Sequence, residues 1–163
     1  MELPEPTASL CRLLDEQNAR YEILYFPSEE NKLYSPEDGV RAGFGSLPEM
    51  APAFILQSEN GSLTAVVTGD RRLSYKKIKK ALGLRNVSLA SPDRIFELTG
   101  ARPGTVPPIN PGLPTLVDER MLDQEFVFAG SGAVQYTLKI HPPDLVRITG
   151  ANVFDFTEEK TTI

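Results

Sequence analysis

The sequence predicts an α+β fold, and three observations predict it. Short apolar runs rich in β-branched and aromatic residues are bounded by turn signals. Short helices carrying their own start and stop residues fall between them. The regular strand–helix alternation that a doubly wound parallel sheet requires is missing, so a mixed, partly antiparallel sheet is expected. The 163 residues suggest one domain, with the tail from about residue 157 frayed; 40% hydrophobic and 24% charged residues exclude a disordered or fibrous chain.

Taken in order, Thr7 ahead of Leu10, Leu13 and Leu14 reads as an N-capped amphipathic helix running to about Asn18. Tyr21 to Phe26 is strand-like and is closed by Pro27. Ser35-Pro36-Glu37-Asp38 starts a helix with a cap, a proline at its first position and acids at the positive dipole end. Gly39, Gly43 and Gly45 keep that helix short. Ala53–Ser58 and Leu63–Thr68 flank Glu59-Asn60-Gly61-Ser62, a hairpin signal centred on Asn-Gly.

Ser74 caps the next helix, with Tyr75, Ile78, Ala81 and Leu82 inward, lysines on the other faces and Gly83 as its stop. Asn86–Ala90 is a short strand, and Ser91-Pro92-Asp93 opens a helix through Ile95, Phe96 and Leu98 that ends at Thr99-Gly100. Ala101–Pro114 is a long loop with five prolines and two glycines. Thr115–Val117, Glu125–Ala129 and Val134–Ile140 are strands, the last two joined by Gly130-Ser131-Gly132. Pro142-Pro143-Asp144 opens a last helix through Leu145 and Ile148, and Val153–Phe156 is a final strand.

Charge is unevenly distributed. Between Asp70 and Arg94, eight basic side chains (Arg71, Arg72, Lys76, Lys77, Lys79, Lys80, Arg85, Arg94) face two acidic ones, a local +6 in a chain of net charge −5 that leaves −11 elsewhere. A positive patch on an acidic protein can still capture a polyanion; a solvated helix face is the alternative. One cysteine, Cys11, and one histidine, His141, exclude an internal disulfide, a multi-cysteine zinc site and a His-rich metal centre, so neither metal nor cofactor is expected. No apolar run reaches membrane-spanning length, and the N-terminal residues lack a basic stretch followed by an apolar one; a cytoplasmic protein is expected, with neither membrane nor DNA as partner.

No nucleophile–base pair stands out. His141 precedes two prolines at a strand-to-helix junction and reads as structural, and Cys11 reads as a small buried hydrophobe. Neither a phosphate-binding loop nor a dinucleotide fingerprint occurs. Catalysis in such a chain must lean on backbone groups, water or the substrate itself. Gly104-Thr105-Val106-Pro107-Pro108 offers a bare backbone held rigid by prolines, and rigid amides aimed at one point suit an oxyanion, each donor being worth roughly 3–4 kcal/mol of barrier.

The run Leu73-Ser74-Tyr75-Lys76-Lys77-Ile78-Lys79-Lys80-Ala81-Leu82-Gly83, then Val87–Pro92, Leu98-Thr99-Gly100 and Gly104–Pro108, resembles the YbaK/ProX-like aminoacyl-tRNA editing domains. Leu116-Val117-Asp118-Glu119, Ala129-Gly130-Ser131-Gly132 and Pro143-Asp144-Leu145 extend the likeness, which spans about Leu10 to Ile148. The resemblance implies a curved, largely antiparallel central sheet with surrounding helices. It also implies a deacylase that hydrolyses the ester of mischarged tRNA and serves translation fidelity. In that family Gly104, Thr105, Val106, Pro107 and Pro108 would line the pocket and meet the substrate carbonyl through backbone amides, with water attacking and the substrate's ribose hydroxyl taking part.

On that reading the chain is a free-standing, trans-acting domain whose partners are the tRNA acceptor end and a synthetase. Arg71, Arg72, Lys76, Lys77, Lys79 and Lys80 would hold RNA phosphates. Ala53, Phe54, Gly130, Ser131 and Gly132, with the Gly39–Gly45 segment, would wall the amino-acid pocket. One departure stands out. The family lysine at the start of the strand that opens the hairpin falls on Ala53 here, and no lysine lies between Lys32 and Lys76. Losing such a charge-assisted contact is worth roughly 1.5–3 kcal/mol. This opens the alternative of an attenuated or inactive homologue that binds tRNA or a small aminoacyl ligand; Arg41, Arg71 and Arg72 are the candidate substitutes for the lysine.

Overall fold

In the computed structural model, which describes residues 2–26 and 35–160, α1 (Thr7–Glu16) forms because Leu10 and Leu14, one turn apart, share a buried stripe. Thr7 does not cap it. Pro6 occupies the cap position and the Glu5 carboxylate accepts the Ser9 N–H at 3.3 Å. The buried Thr7 hydroxyl donates instead to the Ser131 carbonyl at 2.9 Å, because a hydroxyl withdrawn from water needs a partner where it is buried. β1 (Tyr21–Tyr25) follows; Pro27 lies outside the described residues.

α2 (Pro36–Arg41) starts on the expected signal. Ser35 Oγ accepts the Asp38 N–H, and the Asp38 carboxylate accepts the Ser35 N–H. β2 (Ala53–Ser58) and β3 (Gly61–Val66) form the hairpin, but its centre is Glu59-Asn60 rather than Asn60-Gly61, since Ser58 pairs with Gly61. Two local anchors set this register: Ser58 Oγ bonds both Gly61 O and Asn60 N, and Glu59 accepts the Arg85 and Asn86 amides at 2.6 and 2.9 Å.

β4 (Arg71–Leu73) leads into α3 (Tyr75–Leu82), capped by Ser74 and stopped by Gly83 in the left-handed region. Ile78 is buried on its inner face, whereas Ala81, expected inward, is exposed in the last turn. β5 (Val87–Leu89) and α4 (Pro92–Thr99, capped by Ser91, ended by Gly100) precede the long loop 101–114. β6 (Thr115–Asp118), β7 (Val127–Gly130), β8 (Tyr136–Ile140), α5 (Pro142–Thr149) and β9 (Asn152–Phe154) complete the expected order. Thr157–Glu159, expected to fray, is a strand, β10. It pairs antiparallel with β4, aligning Arg72 with Glu158, and Thr157 is buried against Arg71 and Asp118.

Five of the seven strand pairings among the described residues are antiparallel. The central five-stranded sheet runs β5-β2-β3-β6-β9, with β3-β6 and β6-β9 parallel; β1-β8-β7 form a second sheet and β10-β4 a ribbon. All four residues of β6 are buried, as a central strand covered on both faces requires. Leu14, Val117, Leu138, Ile140 and Leu145 fill the core between the two larger sheets; Leu56, Ile78, Leu116 and Phe156 fill the layer under α3. A third cluster, Ile55, Ala90, Ile95, Ala101 and Val106, fastens α4 and the long loop to β2. A bridge from Met50 to Phe128 and the Ala51 N–H to Phe128 carbonyl bond, 2.8 Å, hold the two larger sheets together beside that cluster. No described helix is long and apolar enough to cross a membrane.

Candidate active site

A cavity of about 580 Å³ opens where β2, β7, β8, α4 and the long loop meet. Pro103, Gly104, Thr105 and Val106 form one wall; Ala53, Phe54 and Gly130 lie on the others. Gly104 takes φ +93°, a conformation that costs side-chain-bearing residues, and is exposed, whereas Thr105 and Val106 are buried. Thr105 donates both its N–H and its hydroxyl to the Arg102 carbonyl, each at 3.0 Å, closing a tight turn. Among the described residues neither the Gly104 nor the Val106 N–H has an intramolecular acceptor.

Pro107 and Pro108 are buried behind this wall rather than on it, and the Pro107 carbonyl accepts from Asn110 Nδ2 at 2.9 Å. Ser131 and Gly132, expected to face the ligand, do not line the cavity either. They brace it: the Gly132 N–H donates to the Thr105 carbonyl, and Ser131 is held by Thr7 and by the Tyr136 carbonyl, 2.7 Å from its hydroxyl. A Cβ on Gly130 would come within 2.4 Å of the Val106 carbonyl oxygen and 2.6 Å of that of Thr105. Only glycine lets the end of β7 lie this close to the loop.

The remaining walls are mostly apolar, with hydroxyls from Ser35, Tyr136 and Thr137. Gly39 and Phe44 come from the glycine-rich segment singled out in the sequence; Met50, Leu89, Phe128, Val134 and Tyr136 were not foreseen. Phe44 stacks on Phe128 with centroids 5.8 Å apart. A sequence signal for that pair existed in an aromatic residue set between Gly43 and Gly45, where only a packing role explains a bulky side chain. No Asp, Glu, Lys, Arg or His is among the described residues that line the cavity. Ala53, half-buried at the start of β2, lines it where the resemblance implies a lysine.

The three arginines considered as substitutes are engaged elsewhere. Arg41 pairs with Asp38, Arg71 bonds Thr157, and Arg72 pairs with Glu158 at 3.0 Å. The basic segment is likewise divided. Lys77 donates to Asp155 at 3.0 Å and to the Thr157 carbonyl at 2.6 Å, so it belongs with Arg71 and Arg72 to the clasp between α3, β4 and β10. Lys76, Lys79 and Lys80 have no carboxylate partner among the described residues. Arg120 and then Lys77 hold the Asp155 carboxyl well below the usual carboxylate range. Arg120 also meets Asp118, whose side chain is fully buried.

His141 is half-buried at the start of α5 with Nδ1 2.9 Å from the Glu125 carbonyl oxygen, and Cys11 is half-buried, its thiol pKa pushed up by that burial. Neither lines the cavity. Among the described residues no cluster of His, Cys, Asp or Glu could hold a metal ion.

The cavity, its backbone loop and the uncharged walls coincide with a match of residues 30–148 to the model of the aminoacyl-tRNA editing domain. The chain belongs to the aminoacyl-tRNA editing domain family. Two proline–tRNA ligases resemble this editing domain. That of Moorella thermoacetica is 36% identical over 63 residues, and that of Desulfotalea psychrophila 21% over 91 residues. The matches span 38% and 56% of this chain but only 11% and 16% of the ligases. A solved structure of a protein proposed to act as a trans-editing enzyme for prolyl tRNA synthetase superposes with TM-score 0.85 at 24% identity, covering 96% of this editing domain and 99% of that chain. A hypothetical protein superposes with TM-score 0.81 at 26% identity, over 91% and 99% of the two chains.

Proposed function

We propose that this chain is a trans-acting deacylase: it hydrolyses the ester joining a wrong amino acid to the terminal adenosine of tRNA, in the cytoplasm. The observation that carries the reading is the wall at Pro103–Val106, where two backbone N–H groups without intramolecular acceptors border a cavity that no charged side chain lines among the described residues. In this mechanism the Gly104 and Val106 amides receive the oxygen of the ester carbonyl. They stabilise it most when water has added and the oxygen carries negative charge. The C–O bond to the ribose then breaks, the amino acid leaves with the added hydroxyl, and the ribose oxygen departs protonated. With no described side chain of the cavity able to act as base, the neighbouring ribose hydroxyl of the substrate relays the proton from water.

Coverage of nearly the whole of a proposed trans-editing protein supports action in trans, and the two ligase relatives direct the proposal to tRNA charged by a prolyl-tRNA synthetase, which would be the second partner. Release of amino acid from alanyl-, cysteinyl- and seryl-tRNA tests it: hydrolysis of one of the mischarged tRNAs well above the uncatalysed rate is expected. Ala53 on the cavity wall favours a second reading, a homologue that binds the acceptor end without efficient turnover. Retention of tRNA with no release from any of the three would establish that reading instead.

A further inference from the structure

Among the described residues, a cation without a carboxylate partner, Arg102, adjoins the cavity's loop wall and is not on the lysine helix. Arg102 immediately precedes Pro103 and Gly104, and Phe96 immediately follows Ile95; Pro103, Gly104 and Ile95 all line the cavity. The Arg102 guanidinium carbon lies 4.5 Å from the centroid of the Phe96 ring. Both side chains are exposed, Phe96 to 45%. Arg94, on the same helix, is neutralised by Glu97 at 3.0 Å, whereas Arg102 has no carboxylate partner among the described residues. The backbone of Arg102 is fixed, because its carbonyl closes the turn with Thr105. Leu89, 53% exposed, is on the cavity wall as well.

A large aromatic ring left half-exposed beside a pocket, roofed by an arginine with no carboxylate partner among the described residues, has the chemistry of a single-stranded RNA contact. Base faces stack on aromatic rings and guanidinium planes, and the guanidinium pairs with phosphate. A protein partner with an acidic edge would use the cation but leave the flat stack without a purpose.

We propose that Phe96 and Arg102 form a stacking platform for the nucleotide preceding the terminal adenosine, with Arg102 neutralising the phosphate between the two. This rests on the deacylase reading, since it takes the terminal adenosine to occupy the cavity. The platform holds the strand at the rim while the loop two residues further on acts on the ester. It also assigns acceptor-end binding to α4 and the start of the loop rather than to α3.

The test compares Phe96→Ala and Arg102→Gln on two substrates: mischarged tRNA, and the corresponding 3′-aminoacyl-adenosine, which ends before the platform. The expected result is that kcat/KM toward tRNA falls about 5- to 100-fold more than toward the aminoacyl-adenosine, mainly through KM. Arg102→Gln should also lower the slope of log affinity against log salt by about one, while Phe96→Ala leaves that slope nearly intact. Equal losses on both substrates would mean that the variants merely disturb the loop and would overturn the platform; so would undiminished efficiency on tRNA. If the wild-type protein hydrolyses neither substrate, the deacylase reading fails, and the same variants are then read by affinity for uncharged tRNA. Full retention of affinity by both would overturn the platform there as well.

Discussion

The backbone N–H of Gly132 donates to the carbonyl of Thr105 at 2.8 Å, which ties the turn after β7 to the centre of the loop that walls the cavity. Gly130, two residues earlier, touches the same loop from the side, with no room for a methyl group beside the Thr105 and Val106 carbonyls. The loop is therefore positioned from outside as well as by its own prolines. Gly130→Ala should lower single-turnover deacylation by about 10- to 100-fold, a fraction of what loss of a whole oxyanion donor costs. Ligand affinity should change much less, and circular dichroism should show the fold retained.

Thr7 reaches the same turn from α1. Thr7→Val keeps the volume but leaves the buried Ser131 carbonyl without its donor. A destabilisation of about 1–3 kcal/mol is expected in urea unfolding. Thr7→Ser, which restores the hydroxyl, should recover most of it.

Ala53→Lys places an ammonium on a wall that carries no charge among the described residues. We expect a gain in deacylation of roughly ten- to a hundredfold, the worth of one charge-assisted contact. Unchanged rates would mean that the site has been rebuilt around alanine.

The lysines of α3 should separate into two kinds. Lys77→Ala removes the contacts to Asp155 and Thr157 that fasten β10 and should lower stability by about 1 kcal/mol, discounted for partial exposure. The triple change of Lys76, Lys79 and Lys80 to Ala should leave the unfolding midpoint within error.

Asp155 gives the clasp a pH signature. Its folded pKa is depressed, chiefly by Arg120 and then by Lys77, so its contribution is present above the ordinary carboxylate value of about 3.9. That contribution is lost as pH falls below this value toward the depressed one. Wild type and Asp155→Asn should differ in stability at pH 6–7 and converge as the pH is lowered through and below 4; a gap that widens on acidification would contradict the assignment.

The order of helices and strands was legible because its punctuation is local. Ser35, Ser74 and Ser91 cap helices within their own four-residue windows, and Gly83, Gly100 and Gly150 end them. Thr7 misled because its partner is 124 residues away. β4 and β10 carry no strand signal in the sequence, because each is three residues long and the pair is held by side-chain anchors such as Arg71 on Thr157 rather than by an apolar pattern. At the site, Gly104–Val106 stood out by composition. The roles of Ser131 and Gly132 as braces did not, since a turn glycine against a distant carbonyl looks in sequence like any other. Arg71, Arg72 and Lys77 read as a phosphate patch only because their partners, Thr157, Glu158 and Asp155, lie some eighty residues further on.

The absence of charged side chains from the described lining has an electrical consequence. A guest entering this hollow finds no fixed counter-ion among the described residues to meet an α-ammonium, so its neutral amine is the form least penalised by leaving water. Free α-amino groups titrate near 7.7–8.0. Acidity would then tune occupancy through the guest's own proton, and the receptor would stand by as a passive insulator.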